Sequence, residues 1–223
     1  MLLLAFDTAT PAVTVAVHDG ERVLARSTEV DARRHGELLL PAVDRVLAEA
    51  GAAIADVTGV VVGVGPGPYT GLRVGLVTAA AFGDALDVPV HGLCTLDGIA
   101  HEAVRSGLVD GPFAVATDAR RKEVYWARYA GPGAREGEPS VDRPADVAER
   151  VAGLPAVGAG AALYPEVFTG LLPSGPEHVS AAALASLAAE RIASGGEFLP
   201  VQPMYLRRPD AQVPAGYKTV LPR

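Results

Sequence analysis

The sequence predicts an α/β fold of two similar lobes facing one another across a cleft, and three observations lead there. A strand pattern closed by an acid occurs twice, at residues 2–6 before Asp7 and at residues 113–117 before Asp118. Asp7, Val13 and Gly20 map onto Asp118, Val124 and Gly131 with one constant offset of 111 residues, a repeat signal. The apolar run Val60-Val61-Val62-Gly63-Val64 enters a glycine-rich turn and then a helical pattern, and Ala156-Val157-Gly158-Ala159-Gly160-Ala161 repeats that plan.

Taken in order, residues 2–6 read as a buried strand, 13–17 as its neighbour, and 22–29 as a third strand after the tight turn Asp19-Gly20. A helix is expected over 35–50, where Leu39, Val43, Val46, Leu47 and Ala50 recur at helical spacing and Gly51 stops it. The valine strand, the glycine turn, a helix over 69–86, a short strand over 88–93 and a helix over 96–106 complete the first half. Residues 108–112 read as a hinge. The second half opens with strands at 113–118 and 124–129, and the glycine- and proline-rich stretch 131–143 reads as a surface loop. The alanine-rich segment 181–193 has strong helix propensity and ends at Ser194-Gly195-Gly196. Five prolines in residues 200–223 predict an extended C-terminal tail. The expected division is an N-terminal lobe, 1–107, and a C-terminal lobe, 108–223, whose tail packs back on the first.

Composition narrows the function. The chain of 223 residues is 49% hydrophobic, yet no apolar run approaches the ~20 residues that span a bilayer. The start Met1-Leu2-Leu3-Leu4-Ala5-Phe6-Asp7 meets an acid at once with no basic segment before it, so it reads as a first strand and not a secretory signal. A cytoplasmic protein without membrane contact is expected. The single cysteine, Cys94, excludes an internal disulfide and a thiolate zinc cluster. A formal charge of −7 disfavours autonomous nucleic-acid binding, although Arg120-Arg121-Lys122 and Arg207-Arg208 are local basic runs.

No His-Glu-x-x-His or Gly-x-Ser-x-Gly motif is present, and no two of the five histidines lie three to five residues apart. No catalytic or metal-ligating residue is therefore expected. The glycine turn could offer a following helix's unpaired amides to an anion, or could be a tight strand-to-helix connection; it matches neither the Walker loop nor the dinucleotide fingerprint. Asp7 and Asp118 could face the cleft, or could each hydrogen-bond its own turn. In the helix after the turn, Gly71, Gly75, Ala79 and Gly83 repeat every four residues and form a smooth ridge. Leu72, Val74, Leu76, Val77 and Phe82 cover its other sides, so this helix must bury more than one face, inside its lobe or against a second chain.

Asp7-Thr8-Ala9-Thr10, the turn Gly65-Pro66-Gly67-Pro68-Tyr69-Thr70-Gly71-Leu72-Arg73-Val74-Gly75, Asp118-Ala119-Arg120-Arg121-Lys122-Glu123-Val124-Tyr125-Trp126 and Pro203-Met204-Tyr205-Leu206-Arg207 together resemble the bacterial TsaB (YeaZ) family over nearly the whole chain. The resemblance implies an actin-like (ASKHA, ribonuclease H-like) duplicated fold. It also implies a role in forming N6-threonylcarbamoyladenosine at position 37 of tRNA, as a non-catalytic partner and activator of the threonylcarbamoyltransferase TsaD. TsaE is then a third component and tRNA is reached only through the complex; the self-complementary helix face is expected to form a homodimer when the chain is alone. The catalytic relative carries a His-x-Glu-Gly-His motif; with its glycine placed on Gly98, Thr95 and Ile99 stand where its histidines would be. The implied partner interface lies on the first and second long helices, at His35, Leu39, Val43, Gly71, Leu72, Gly75, Leu76 and Ala79, so Gly75→Leu is expected to weaken pairing. No cofactor is implied for this chain alone, with ATP and magnesium at the complex interface. Asp7, Thr8, Gly65, Gly67 and Asp118 are the candidate nucleotide or cleft residues. The alternative is an independent actin-like, ATP-dependent phosphotransferase acting on a small molecule through Asp7, Asp118 and the two glycine turns.

Overall fold

Strand β1 (Leu3–Asp7) has all five side chains buried, which requires cover on both faces, and the architecture supplies it. The computed structural model describes residues 1–67, 69–131 and 133–207, without the side chain of Tyr69. β1 pairs antiparallel with β2 (Ala12–His18) and parallel with β4 (Gly59–Gly63). β3 (Val23–Val30) and β5 (Val90–Leu93) complete a sheet of order β3-β2-β1-β4-β5. Helices α1 (His35–Glu49), α2 (Tyr69–Leu86) and α3 (Thr95–Arg105) belong to the same half.

The second half repeats the plan element for element. Its sheet has the order β8-β7-β6-β9-β10, built from β6 (Phe113–Asp118), β7 (Val124–Gly131), β8 (Ala134–Asp142), β9 (Pro155–Val157) and β10 (Gly170–Leu171). Its helices are α4 (Pro144–Val151), α5 (Ala159–Leu163) and α6 (Ala181–Ser194). The duplicated α/β architecture expected from the sequence, two mixed sheets each flanked by helices, is thus present. The offset of 111 is not constant in the pairing, however. Asp7 lies opposite Thr14, whereas Asp118 lies opposite Val124 and not Tyr125, so the second hairpin loop is one residue shorter.

The stretch 131–143 is not a surface loop, as its composition suggests, but mostly strand β8, paired antiparallel with β7. β8 is an edge strand in which Arg135, Glu136 and Glu138 stand on a partly exposed ribbon. Charged residues and irregular pairing are how edges avoid joining other sheets, and they erase the hydrophobic signal of a strand.

Packing crosses between the halves. α1 and α2 cover the outer face of the first sheet, with Leu39, Val43, Leu47, Leu72 and Leu76 against Leu4, Phe6, Val15 and Val62. α3 and α6 share one core with Leu3 and Val61 of the first sheet and Val115 and Val157 of the second. α6 lies against β1 to β5, although it comes from the second half, while α3 touches β6, β7 and β9. A Cβ on Gly98 would sit 2.7 Å from Leu184 and 2.8 Å from Val179, so this glycine sets how closely α3 approaches α6. The hydroxyl of Thr14 on β2 accepts the Ala181 amide at 2.9 Å and caps α6. A boundary at 107 therefore separates the sheets but not the cores.

Beyond α6 the chain returns to the first sheet: Leu199 N donates to Gly92 O at 3.0 Å and Met204 N to Val64 O at 2.8 Å. Arg207 then reaches the second half, donating to Ala119 O and pairing with Glu123. The expected course of residues 208–223, Arg208 included, and Pro68 of the glycine turn lie outside the described residues. Among the described residues no helix is long and apolar enough to cross a membrane.

Candidate functional site

The acid that closes β1 and the glycine turn that follows β4 meet at the carboxyl ends of their strands because the two strands are parallel neighbours in register, Phe6 opposite Val62. Asp7 is completely buried. Its Oδ1 accepts the Ala9 amide at 2.6 Å and its Oδ2 accepts the Thr95 hydroxyl at 2.7 Å. Thr95 Oγ1 in turn accepts the Gly65 amide at 3.2 Å, and the Thr95 amide donates to Gly65 O at 2.7 Å. The carboxylate occupies the space a side chain on Gly63 would need, since a Cβ there would lie 1.6 Å from Oδ2. Asp7, Gly63, Gly65 and Thr95 thus form one closed knot that ties β1 to the turn and to the start of α3.

Thr8 ties the same hairpin to α2. Its hydroxyl donates to Gly71 O at 2.8 Å and accepts the Gly75 amide at 2.9 Å. A Cβ on Gly71 would meet Thr8 O at 2.6 Å, one on Gly75 would meet Thr8 Oγ1 at 2.7 Å, and one on Gly83 would meet Val90 at 2.4 Å. The small-residue ridge Gly71, Gly75, Ala79 and Gly83 consequently faces the chain's own sheet. His35 Nε2 lies 2.8 Å from Thr10 O and pins the β1–β2 turn to the first turn of α1.

Two expectations are corrected by this geometry. Leu39, Val43, Leu72, Leu76 and Ala79 are buried in the first core, and Gly71 and Gly75 are buried beneath Thr8. These positions cannot form a surface for another chain, because the space beside them is already filled. Likewise Asp7, Thr8, Gly65 and Gly67 do not open into the cleft. Gly67 is fitted against the backbone of Ala9, where a Cβ would lie 2.1 Å from the carbonyl oxygen, so at this glycine the turn closes on its own hairpin.

Asp118 differs from its counterpart. Its side chain is 24% exposed and accepts the Arg120 amide through Oδ1 at 2.7 Å, with Arg120 Nη1 3.3 Å from Oδ2. The parallel neighbour β9 pairs only as far as Val157 opposite Val115, leaving Asp118 three residues beyond the last pair, whereas Asp7 is one residue beyond its own. Asp118 lines a cavity of about 170 Å³ between the lobes with Ala9, Thr10, Thr117, Leu163 and His178. His178 Nδ1 is buried there without a hydrogen-bond partner, and burial lowers its pKa.

Burial pushes the Asp7 carboxyl up to about 6 from its ordinary 3.8, against the lowering effect of its hydrogen bonds. Because the folded value lies above the unfolded one, Asp7 favours the fold fully below about pH 4, and that contribution is lost as the pH rises through 6. At 1.36 kcal/mol per unit the change is ~3 kcal/mol. Urea unfolding of the wild type and of Asp7→Asn at pH 4 and pH 7 is expected to show the wild type losing more stability than the variant over that interval; parallel curves would contradict it. Burial also pushes the Cys94 thiol up to about 12, which leaves it an inert core residue. Among the described residues no group of three or more His, Cys, Asp or Glu side chains could hold a metal ion.

Two large apolar residues of these helices stay exposed: Val77, one of the side chains expected to need cover, and Leu40, for which the sequence raised no expectation. Leu40 on α1 is 52% exposed and Val77 on α2 is 69% exposed, both out of phase with the buried stripe of their helix. Around Val77 the outer face of α2 exposes Ala80, Ala81 and Ala85, with Arg73 and Asp84 toward its ends. The detectable signal was an apolar residue that breaks the amphipathic period.

Comparison with known proteins places this geometry in context. The model of a family described as TsaD, tRNA N6-adenosine threonylcarbamoyltransferase, matches residues 22–192. An uncharacterized protein of Mycobacterium tuberculosis (strain ATCC 25618 / H37Rv) is 45% identical over 221 residues, covering 94% of this chain and 93% of that protein. The tRNA threonylcarbamoyladenosine biosynthesis protein TsaB of Escherichia coli (strain K12) is 37% identical over 129 residues, 58% of this chain and 55% of that protein. The solved structure of YeaZ from Pseudomonas aeruginosa superposes with a TM-score of 0.77 at 32% identity, covering 92% of this chain and 99% of the other.

Proposed function

The chain belongs to the TsaD family, on its TsaB (YeaZ) branch, and we propose that it serves tRNA threonylcarbamoyladenosine biosynthesis as a non-catalytic partner and activator of a TsaD subunit. The outward pair Leu40 and Val77 carries the proposal for the contact surface. The inner stripes of α1 and α2 are consumed by the core, so only their outer faces can meet another chain. Exposed apolar side chains on two adjacent helices suit a helix-to-helix interface. The same face accounts for a homodimer when TsaD is absent, because a single patch can pair with its own copy about a two-fold axis. TsaE joins as a third component, tRNA is engaged through the assembly, and the complex works in the cytoplasm with ATP and magnesium at the subunit interface.

The two positions aligned with the catalytic relative's histidines support the non-catalytic half of the reading. Thr95 spends its hydroxyl between Asp7 and Gly65, and Ile99 is buried in the core between the sheets. Neither side chain is placed to act on a substrate. The phosphotransferase alternative loses support for the same kind of reason, since Asp7 is sealed from the cleft and Gly67 is packed on Ala9.

Reconstitution tests the proposal. With tRNA and threonylcarbamoyl adenylate supplied, modified adenosine is expected only when this chain and TsaD are both present. The chain alone with ATP, magnesium and small hydroxyl compounds is expected to release no ADP above background. Turnover by the chain alone, or full activity of TsaD without it, would overturn the reading.

A further inference from the structure

A cavity of about 310 Å³ lies between α3, α6 and β7, on the seam where the two halves exchange helices, and it shares no lining residue with the cavity beside Asp118. Its lining combines hydrocarbon from Ala100, Val104 and Leu187 with the polar side chains of His101, Arg105 and Arg191. Asp97 is committed elsewhere in the lining: it accepts the Tyr129 hydroxyl at 2.9 Å and Arg135 Nη1 at 2.8 Å.

The remaining charges are loosely held. Arg191 Nη2 stands 3.5 Å from Asp97 Oδ2, and Arg105 Nη1 stands 3.8 Å from Glu190 Oε1, both longer than a good hydrogen bond. His101 Nε2 is buried, 3.8 Å from Glu190, with no hydrogen-bond partner. An unsatisfied buried ring nitrogen on a cavity wall is the kind of group that a ligand completes. Arg135 is shared between Asp97 and the exposed Glu138 at 3.7 Å, and Arg191 Nη1 adds only a 3.4 Å contact to Glu197 O, so Arg105 and Arg191 are the lining cations held by long contacts alone. A monoanion can use these two guanidiniums while keeping clear of Glu190; a dianion would have to approach Glu190 as well, and a small inorganic one would leave the hydrocarbon wall without a partner.

We propose that this cavity binds a small monocarboxylate with an apolar body, its carboxylate received by Arg105, Arg191 and His101 and its hydrocarbon laid against Ala100, Val104 and Leu187. Such a ligand touches α3 and α6 together, so it braces the seam between the two sheets. The site is independent of the outer face of α1 and α2, and its failure leaves the partner role untouched.

Benzoate is the probe and inorganic phosphate the control. Calorimetric titration of the whole chain is expected to give saturable benzoate binding, and the His101 ring signal in NMR, assigned by its loss in His101→Gln, is expected to move while the other histidine signals stay. Arg191→Gln should weaken binding about tenfold or more, and Val104→Phe, which fills the cavity without touching a charge, should abolish it. Absence of saturable binding, an unmoved His101 signal, phosphate binding as tightly as benzoate, or variants that bind like the wild type would each overturn the proposal. Saturable benzoate binding and its preference over phosphate are read in the wild-type protein alone, so that arm of the test does not depend on any variant folding.

Discussion

A chain carrying Leu40→Glu together with Val77→Glu is expected to fold normally and to lose its hold on TsaD. Both side chains are exposed in the isolated molecule, so the charges meet water there and stability should shift by no more than ~0.5 kcal/mol. In the complex each carboxylate would be driven into a helix-to-helix contact with no cation to receive it. An uncompensated buried charge costs about 3 kcal/mol or more, which is over a hundredfold in Kd. Size-exclusion chromatography of the mixed subunits checks the result, with thermal unfolding as the control for folding. An unchanged melting temperature with undiminished complex would remove this face from the account.

Gly75→Leu is expected to act on the fold and not on the interface, the reverse of what the small-residue ridge suggests in the sequence. The first added carbon already lies 2.7 Å from Thr8 Oγ1, and Val62 is next at 3.7 Å. Room for a leucine is made only by displacing Thr8, which breaks its bonds to Gly71 and Gly75. Overpacking costs about 1–3 kcal/mol, and stranding buried hydrogen-bonding groups adds about 1–3 kcal/mol. A loss of ~4 kcal/mol is a large part of the stability of an ordinary domain. Urea denaturation should show a much lower midpoint. A variant of native stability that fails only in pairing would mean that the ridge faces solvent after all.

These two substitutions mark where the sequence was legible. The helices at 35–49, 69–86 and 181–194 and the repeated order of elements follow from apolar spacing, helix propensity and glycine stops, and the structure has them within a residue or two. What periodicity cannot give is which partner a face meets. Gly71, Gly75 and Ala79 form the same ridge whether the neighbour is Thr8 of this chain or a helix of another. Asp7 and Asp118 end equivalent strands, but the unequal lengths of β4 and β9 bury one and expose the other. β8 was hidden because an edge strand is written in charged residues. Val77, named in the sequence among the side chains that need cover, and Leu40, which is not, both stay exposed, because periodicity shows which residue is out of phase and not whether a second chain covers it.

On the proposed reading this chain serves tRNA modification by joining TsaD through the outer face of α1 and α2. The most direct measurement is nucleoside analysis of bulk tRNA from cells depleted of this protein and supplied either with the wild type or with the Leu40→Glu, Val77→Glu double variant. Threonylcarbamoyladenosine is expected to vanish on depletion, to return with the wild type and to stay absent with the folded double variant. Normal modification after complete depletion would contradict the role, and full rescue by the double variant would contradict the surface.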